Sequence, residues 1–190
     1  MKKNKILLLL FLITQLKTYS QDIDSRIDEI RKMYLQITSE KTLYTTKEKD
    51  ITWKAFSGDD DTYSKATATS YFNFNKELKL IILNYSSYGQ MSMFEAEDEL
   101  YYQNNKLYFI YSINNNIHWK EVYEQKGKTY SITEERIYFG ADGRCIRYLY
   151  RKLEEKPEKI DSLRNITPNR ELDCSYSKDL VKRIENYLKD

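Results

Sequence analysis

Leu100-Tyr101-Tyr102-Gln103-Asn104-Asn105-Lys106-Leu107-Tyr108-Phe109-Ile110 is the stretch on which the fold turns. Two runs of aromatic and aliphatic residues, the types that fit a pleated and half-buried surface, flank an Asn-Asn pair that tolerates the positive φ of a tight turn. The pattern predicts a β-hairpin. With a two-residue turn at Asn104-Asn105, alternation sets Leu100, Tyr102, Leu107 and Phe109 on one face. Glu99, Tyr101, Lys106, Tyr108 and Ile110 fall on the other.

Further along, Ile137-Tyr138-Phe139 and Arg144-Cys145 flank Asp142-Gly143 in the same way. A two-residue turn there buries Ile137, Phe139, Ile146 and Tyr148 and leaves Tyr138, Cys145, Arg147 and Leu149 opposite. A three-residue turn, Ala141–Gly143, moves every residue after it to the other face. Two similar hairpins do not make a repeat array, which needs at least three copies; shared turn chemistry explains both.

Working outward, β-rich runs cover Leu43–Lys47, Ile51–Phe56, Thr62–Phe74, Leu78–Tyr85, Met91–Gln103, Leu107–Ile113, His118–Glu124, Thr129–Phe139 and Arg144–Lys152. Short polar turns between them predict an antiparallel meander. Upstream, Ile23, Ile27, Ile30, Tyr34 and Ile37 recur at steps of four and three, which predicts a helix with one apolar stripe, capped by Asp22 or Asp24. A last helix is predicted from Lys178 to Lys189, capped by Ser177, with Leu180, Val181, Ile184, Tyr187 and Leu188 as its stripe. Residues 152–176 form a long polar connection in which Pro157 suits the first position of a short helical turn. The expected fold is therefore α+β: one long antiparallel meander packed against an N-terminal and a C-terminal amphipathic helix, as a single domain over 21–190.

Residues 1–20 read as a secretory signal peptide. Lys2, Lys3 and Lys5 precede an unbroken apolar run, Ile6–Ile13, too short to span a bilayer, and Thr18 and Ser20 place small residues before a cut ahead of Gln21. The absence of a Cys at the exit argues against a lipid anchor. Stable membrane insertion after cleavage is not expected, and the protein is read as periplasmic or secreted.

The leader also distorts the charge. The full chain has 31 Lys and Arg against 29 Asp and Glu; the leader holds four of the lysines and no acids, leaving 27 against 29. Nucleic-acid binding needs a basic excess to neutralise phosphates, and none remains. Cys145 and Cys174 are the only cysteines. In an oxidising compartment an even count favours a bridge, worth roughly 3 kcal/mol on the chain-entropy model. The alternative is two independent thiols, and the orientation of Cys145 depends on the turn length before it.

Catalytic signatures are thin. His118 is the only histidine, and a Cys145–His118 pair lacks any local motif. Asp59-Asp60-Asp61 lacks the ligand spacing of a calcium loop. Glu95, Glu97, Asp98, Glu99, Glu134 and Glu135 supply carboxylates, but glycoside hydrolysis needs two of them at a set separation in a sugar cleft. No cofactor or metal is expected.

The functional signal that survives is an aromatic and charged sheet face: Tyr101, Tyr108 and Tyr138 with Arg136, Arg147 and Arg151. Tyr and Arg dominate interface hot spots. With 18 tyrosines in the chain, the alternatives are codon bias and a face covered by a helix or by the 152–176 segment. The end of the leader, Tyr19-Ser20-Gln21, resembles those of exported proteins of the Bacteroidota. Glu134-Glu135-Arg136-Ile137-Tyr138-Phe139 with Asp142-Gly143-Arg144-Cys145-Ile146-Arg147 is similar to hairpins of small uncharacterised periplasmic α+β proteins of that group. The resemblance implies a periplasmic setting and no particular activity. The expectation is a non-catalytic exported protein that binds a protein partner, as an inhibitor or immunity protein does; the alternative is a carrier of a lipid or glycan in a cupped sheet.

Overall fold

Short turns between β-rich runs leave each strand no nearer partner than its neighbour in the chain. The computed structural model describes residues 22–51, 63–88, 92–119, 128–155 and 157–189. These residues form one eight-stranded sheet in sequence order, every pair antiparallel. The strands are β1 (Thr45–Ile51), β2 (Tyr63–Phe72), β3 (Leu78–Tyr88), β4 (Ser92–Gln103), β5 (Lys106–Trp119), β6 (Lys128–Phe139), β7 (Cys145–Glu155) and β8 (Arg170–Leu172). The helices are α1 over residues 22–40, α2 (Pro157–Ile166) and α3 (Ser177–Lys189). The class is α+β.

Several boundaries differ from the sequence pattern. Leu43–Lys47 and Ile51–Phe56 were expected as two strands, but β1 runs through the break between them; residues 52–56 lie outside the described residues, as do 1–21 with the leader and Asp59-Asp60-Asp61. The expected strands Leu107–Ile113 and His118–Glu124 are joined in β5, with residues 120–124 outside the described set. The Asn114-Asn115-Asn116 run looks like a breaker because Asn is depleted in strands. Here it is held on both sides by full ladders, Asn114 opposite Ala96 on β4 and Thr133 on β6. The polar 152–176 segment contains the end of β7, all of α2 and the three-residue β8.

Three hairpins share one irregularity close to the turn. Tyr71 pairs with Leu80 but Phe72 with Leu78, leaving Lys79 extra. Tyr101 pairs with Phe109 but Tyr102 with Leu107, leaving Tyr108 extra. Tyr138 pairs with Arg147 but Phe139 with Cys145, leaving Ile146 extra. Each is a β-bulge on the second strand of its hairpin, a device that adds local twist. All three fall at the same end of the meander.

The bulges decide which side chains are buried together. In the first hairpin the two-residue turn at Asn104-Asn105 is present, both residues having positive φ (51° and 60°). Beyond the bulge, however, Leu100 lies opposite Ile110 and packs with it, while Tyr101, Tyr108 and Phe109 share the other face. Phe109 and Ile110 are therefore exchanged relative to the unbulged register. In the second hairpin the turn is the three-residue one: the Gly140 N–H donates to Arg144 O at 2.8 Å, and Gly143 has φ 79°. Ile146 then takes up the slip, so Ile137 still meets Tyr148 and only Cys145 and Ile146 exchange faces.

Alternation separates two cores. On one face Leu83, Leu100, Ile110 and Ile137 pack with Leu180 and Ile184 of α3. On the other, Leu80, Ile82, Tyr101 and Phe109 pack with Ile27, Ile30 and Ile37 of α1. Leu163 of α2 packs on that second face too, over Ile132 and Leu153. The free edges are blunted, since β1 presents exposed Lys47, Glu48, Lys49 and Asp50, and β8 is only three residues long.

Candidate functional site

The exchange of Cys145 and Ile146 has a covalent outcome. On the α3 face Cys145 meets Cys174, which stands in the turn before α3, and the two are bridged with Cα atoms 5.8 Å apart. That is within the span a disulfide allows. A Cys145–His118 catalytic pair is thereby excluded, because the thiol is consumed; His118 itself sits on β5 opposite Thr129.

Tyr101, Tyr108 and Tyr138 do fall on one face with Arg136, Arg147 and Arg151, but as core. Ring contacts run from Tyr34 of α1 to Tyr101 (5.1 Å) and Phe109 (5.6 Å), and on from Phe109 to Tyr138 (4.9 Å). The three tyrosines are all less than 5% exposed. An open three-tyrosine platform is thus corrected to a covered one: the apolar stripe of α1 takes the place a partner was expected to fill. Burial pushes the phenols of Tyr101 and Tyr108 well above their usual range, Tyr101 further through the carboxylate of Glu99, which accepts its hydroxyl hydrogen bond at 2.7 Å.

The arginines are held differently. Arg147 ties three elements, with Nη2 3.4 Å from Asp24 of α1 and Nε 3.2 Å from Glu171 of β8. Arg136 and Arg151 converge on Glu134, whose side chain is 1% exposed. Arg151 contacts Glu134 Oε2 and also donates to the carbonyls of Arg164 (2.6 Å) and Thr167 (3.3 Å), closing the end of α2 onto the sheet. Arg164 Nε lies 2.7 Å from Glu134 Oε1, an ionic contact without hydrogen-bond alignment. Arg136 Nη2 lies 3.3 Å from Oε2, its Nη1 donates to Asn169 Oδ1 at 2.9 Å, and its guanidinium stacks 5.1 Å from the Tyr111 ring centroid. One buried carboxylate therefore carries three guanidinium groups.

Arg136 also faces outward. Where the sheet emerges from beneath α1, a groove of about 370 Å³ is floored by Phe109, Tyr111 and Tyr138 and walled by Ile30 and Tyr34. Arg136 of β6 and Arg31 of α1 both line it, together with Leu35, which is 63% exposed. Desolvation works against the charge of Arg31, but interaction with Tyr138 and Asp28 outweighs it and holds the guanidinium above its ordinary range. Arg31, Tyr34 and Leu35 were not singled out from sequence as site residues. The usable signal was Leu35, an apolar residue outside the helical stripe.

The carboxylates expected as a possible acid–base pair are dispersed. Glu95, Glu97 and Glu99 alternate onto the α1 face of β4, whereas Asp98 and Glu135 point to the α3 face, where they accept from the hydroxyls of Tyr85 (2.9 Å) and Tyr148 respectively. Glu134 is sequestered by arginine. Among the described residues no group of three or more His, Cys, Asp or Glu is placed to hold a metal ion, and no helix is long and apolar enough to cross a membrane. No family model, curated protein or solved structure matches the chain, so what the groove can do follows from its own geometry.

Proposed function

We propose that this chain is a non-catalytic exported binding protein of the inhibitor or immunity type, taking a protein partner at the groove between α1 and the sheet. The observation that carries the reading is Arg136, a guanidinium held by Glu134, Asn169 and Tyr111 yet still a quarter exposed beside Tyr138. Arginine pre-ordered over aromatic rings loses little entropy on binding and is typical of interface hot spots. Export is supported by the leader-like N-terminal sequence, and the Cys145–Cys174 bridge is of the kind that persists in an oxidising compartment.

The test places a photo-crosslinking residue at Leu35 in cells that make the full chain. One protein adduct, formed in stoichiometric yield and weakened by Arg136→Ala, is the expected result. Absence of any protein adduct at Leu35 and at Arg31 would count decisively against it.

A second reading, a carrier of a lipid or glycan, draws on a notch of about 600 Å³ at the far end of α1, where Met33, Ile37 and Tyr44 meet Phe74, which is 91% exposed. Its volume suits a small ligand. Native mass spectrometry of the exported protein should then find a co-purifying small molecule that Phe74→Ser releases.

A further inference from the structure

We propose that the segment of the partner seated in this groove is acidic, a side-chain carboxylate bridging Arg31 and Arg136 with an apolar side chain beside it on the rings. The inference rests on the binding reading above and names the chemistry of what is bound. Charge complementarity carries it. Arg136, Arg151 and Arg164 share the single negative charge of Glu134, and Arg31 has one carboxylate partner, Asp28 at 3.0 Å. Among the described side chains, four guanidinium groups thus face two carboxylates.

Of the other described acids nearby, four are engaged elsewhere. Glu99 accepts from Tyr101 beneath α1, and Asp24 and Glu171 hold Arg147. Glu135 points to the opposite face, toward Tyr148. Among the described residues the surplus positive charge is therefore local. A low-dielectric aromatic floor strengthens the attraction for a carboxylate entering from outside. Arg136 is already oriented by Asn169 and Tyr111, so a carboxylate meets a fixed donor fork.

The probes are three fluorescein-labelled peptides of one length, alternating Phe with Glu, with Gln or with Lys, titrated by anisotropy into the full chain. Binding by the Phe-Glu peptide is expected, at least about tenfold weaker for the Phe-Gln peptide and for Arg136→Gln, and weakened further at about 0.3 M salt. Arg31→Gln provides the variant that leaves Glu134 untouched, and it should lose affinity in the same direction. Equal binding of the Phe-Gln or Phe-Lys peptide, seen by amide shifts at Leu35 and Tyr111, overturns the acidic partner while leaving a binding groove. If none of the three peptides shifts those amides, both the groove reading and this inference fall. Displacement of the peptide by inorganic phosphate at equal concentration overturns the peptide assignment, since the site would then read charge alone.

Discussion

The β4–β5 and β6–β7 hairpins start from nearly the same sequence logic and end differently. Both have a turn suited to positive φ and a single bulge on the outgoing strand. In β4–β5 a tight two-residue turn comes first and the bulge shifts everything beyond it, so Phe109 joins Tyr101 under α1. In β6–β7 a three-residue turn and the bulge at Ile146 cancel, so the far register is the one a two-residue turn would give. The difference teaches that turn length alone does not set which residues face which core. The sum of turn and bulge does. It also separates what holds them: the first is held by packed rings, the second by rings, a disulfide and an arginine-caged carboxylate.

Alkaline titration should expose the ring-held side of this contrast most strongly. Tyr101, Tyr102 and Tyr108 in the first hairpin and Tyr148 in the second all have phenols pushed upward by burial, Tyr102 to about 12. A raised phenol stabilises the fold fully below the unfolded value near 10 and loses that contribution as pH rises toward the folded value. Tyrosinate absorbance and far-UV dichroism should therefore change together in one cooperative unfolding step above pH 10. Ionisation of Tyr101 and Tyr108 without unfolding would show that α1 does not seal them.

Next in size is Glu134→Ala. Removing the shared carboxylate leaves Arg136, Arg151 and Arg164 without their common partner, and breaking a buried ion pair from one side costs about 3–5 kcal/mol. Urea unfolding should register it. A loss below about 1 kcal/mol, the range of a surface pair, would mean that the cage is solvated and the second hairpin is not distinguished by it.

Reduction of the Cys145–Cys174 bridge, or Cys174→Ser, should cost about 3 kcal/mol. No comparable tie exists in β4–β5 among the described residues. An unchanged denaturation midpoint after verified reduction would remove the covalent half of the contrast.

Smallest is the pair of turn substitutions. Gly143→Ala meets no atom within 4 Å but forces an L-residue to φ 79°, a backbone cost of roughly 1–2 kcal/mol. Asn105→Gly, at φ 60°, should change stability by no more than about 0.5 kcal/mol. Equal effects would show the two turns to be interchangeable.

These hairpins also show what was legible beforehand. Their positions could be read because Asn104-Asn105 and Asp142-Gly143 act locally. The bulges could not, because an extra residue is chosen by fit to the neighbouring strand, which leaves no mark in a periodicity. β8 escaped notice because three residues, Arg170-Glu171-Leu172, with a single apolar member are too few to show an alternation. For the site, Arg136 and Tyr138 were identifiable as residue types on a strand. Their burial under α1 was not, since it depends on which face Ile27 and Ile30 select. The groove pairs a helix residue with a strand residue more than a hundred positions away, and composition is blind to that.

The order of the strands has a consequence for time. Every strand of the meander pairs only with its neighbours in the chain, so the sheet can zip up from local contacts, the regime of rapid folding. α1 cannot join early: the rings and aliphatics it covers, Leu80, Tyr101, Phe109 and Tyr138, belong to four strands that follow it. α1, the first described element in sequence, then settles only after these strands have paired, and until it does the aromatic face lies bare. Folding intermediates of this protein should bind hydrophobic dyes transiently, the signal fading as α1 docks.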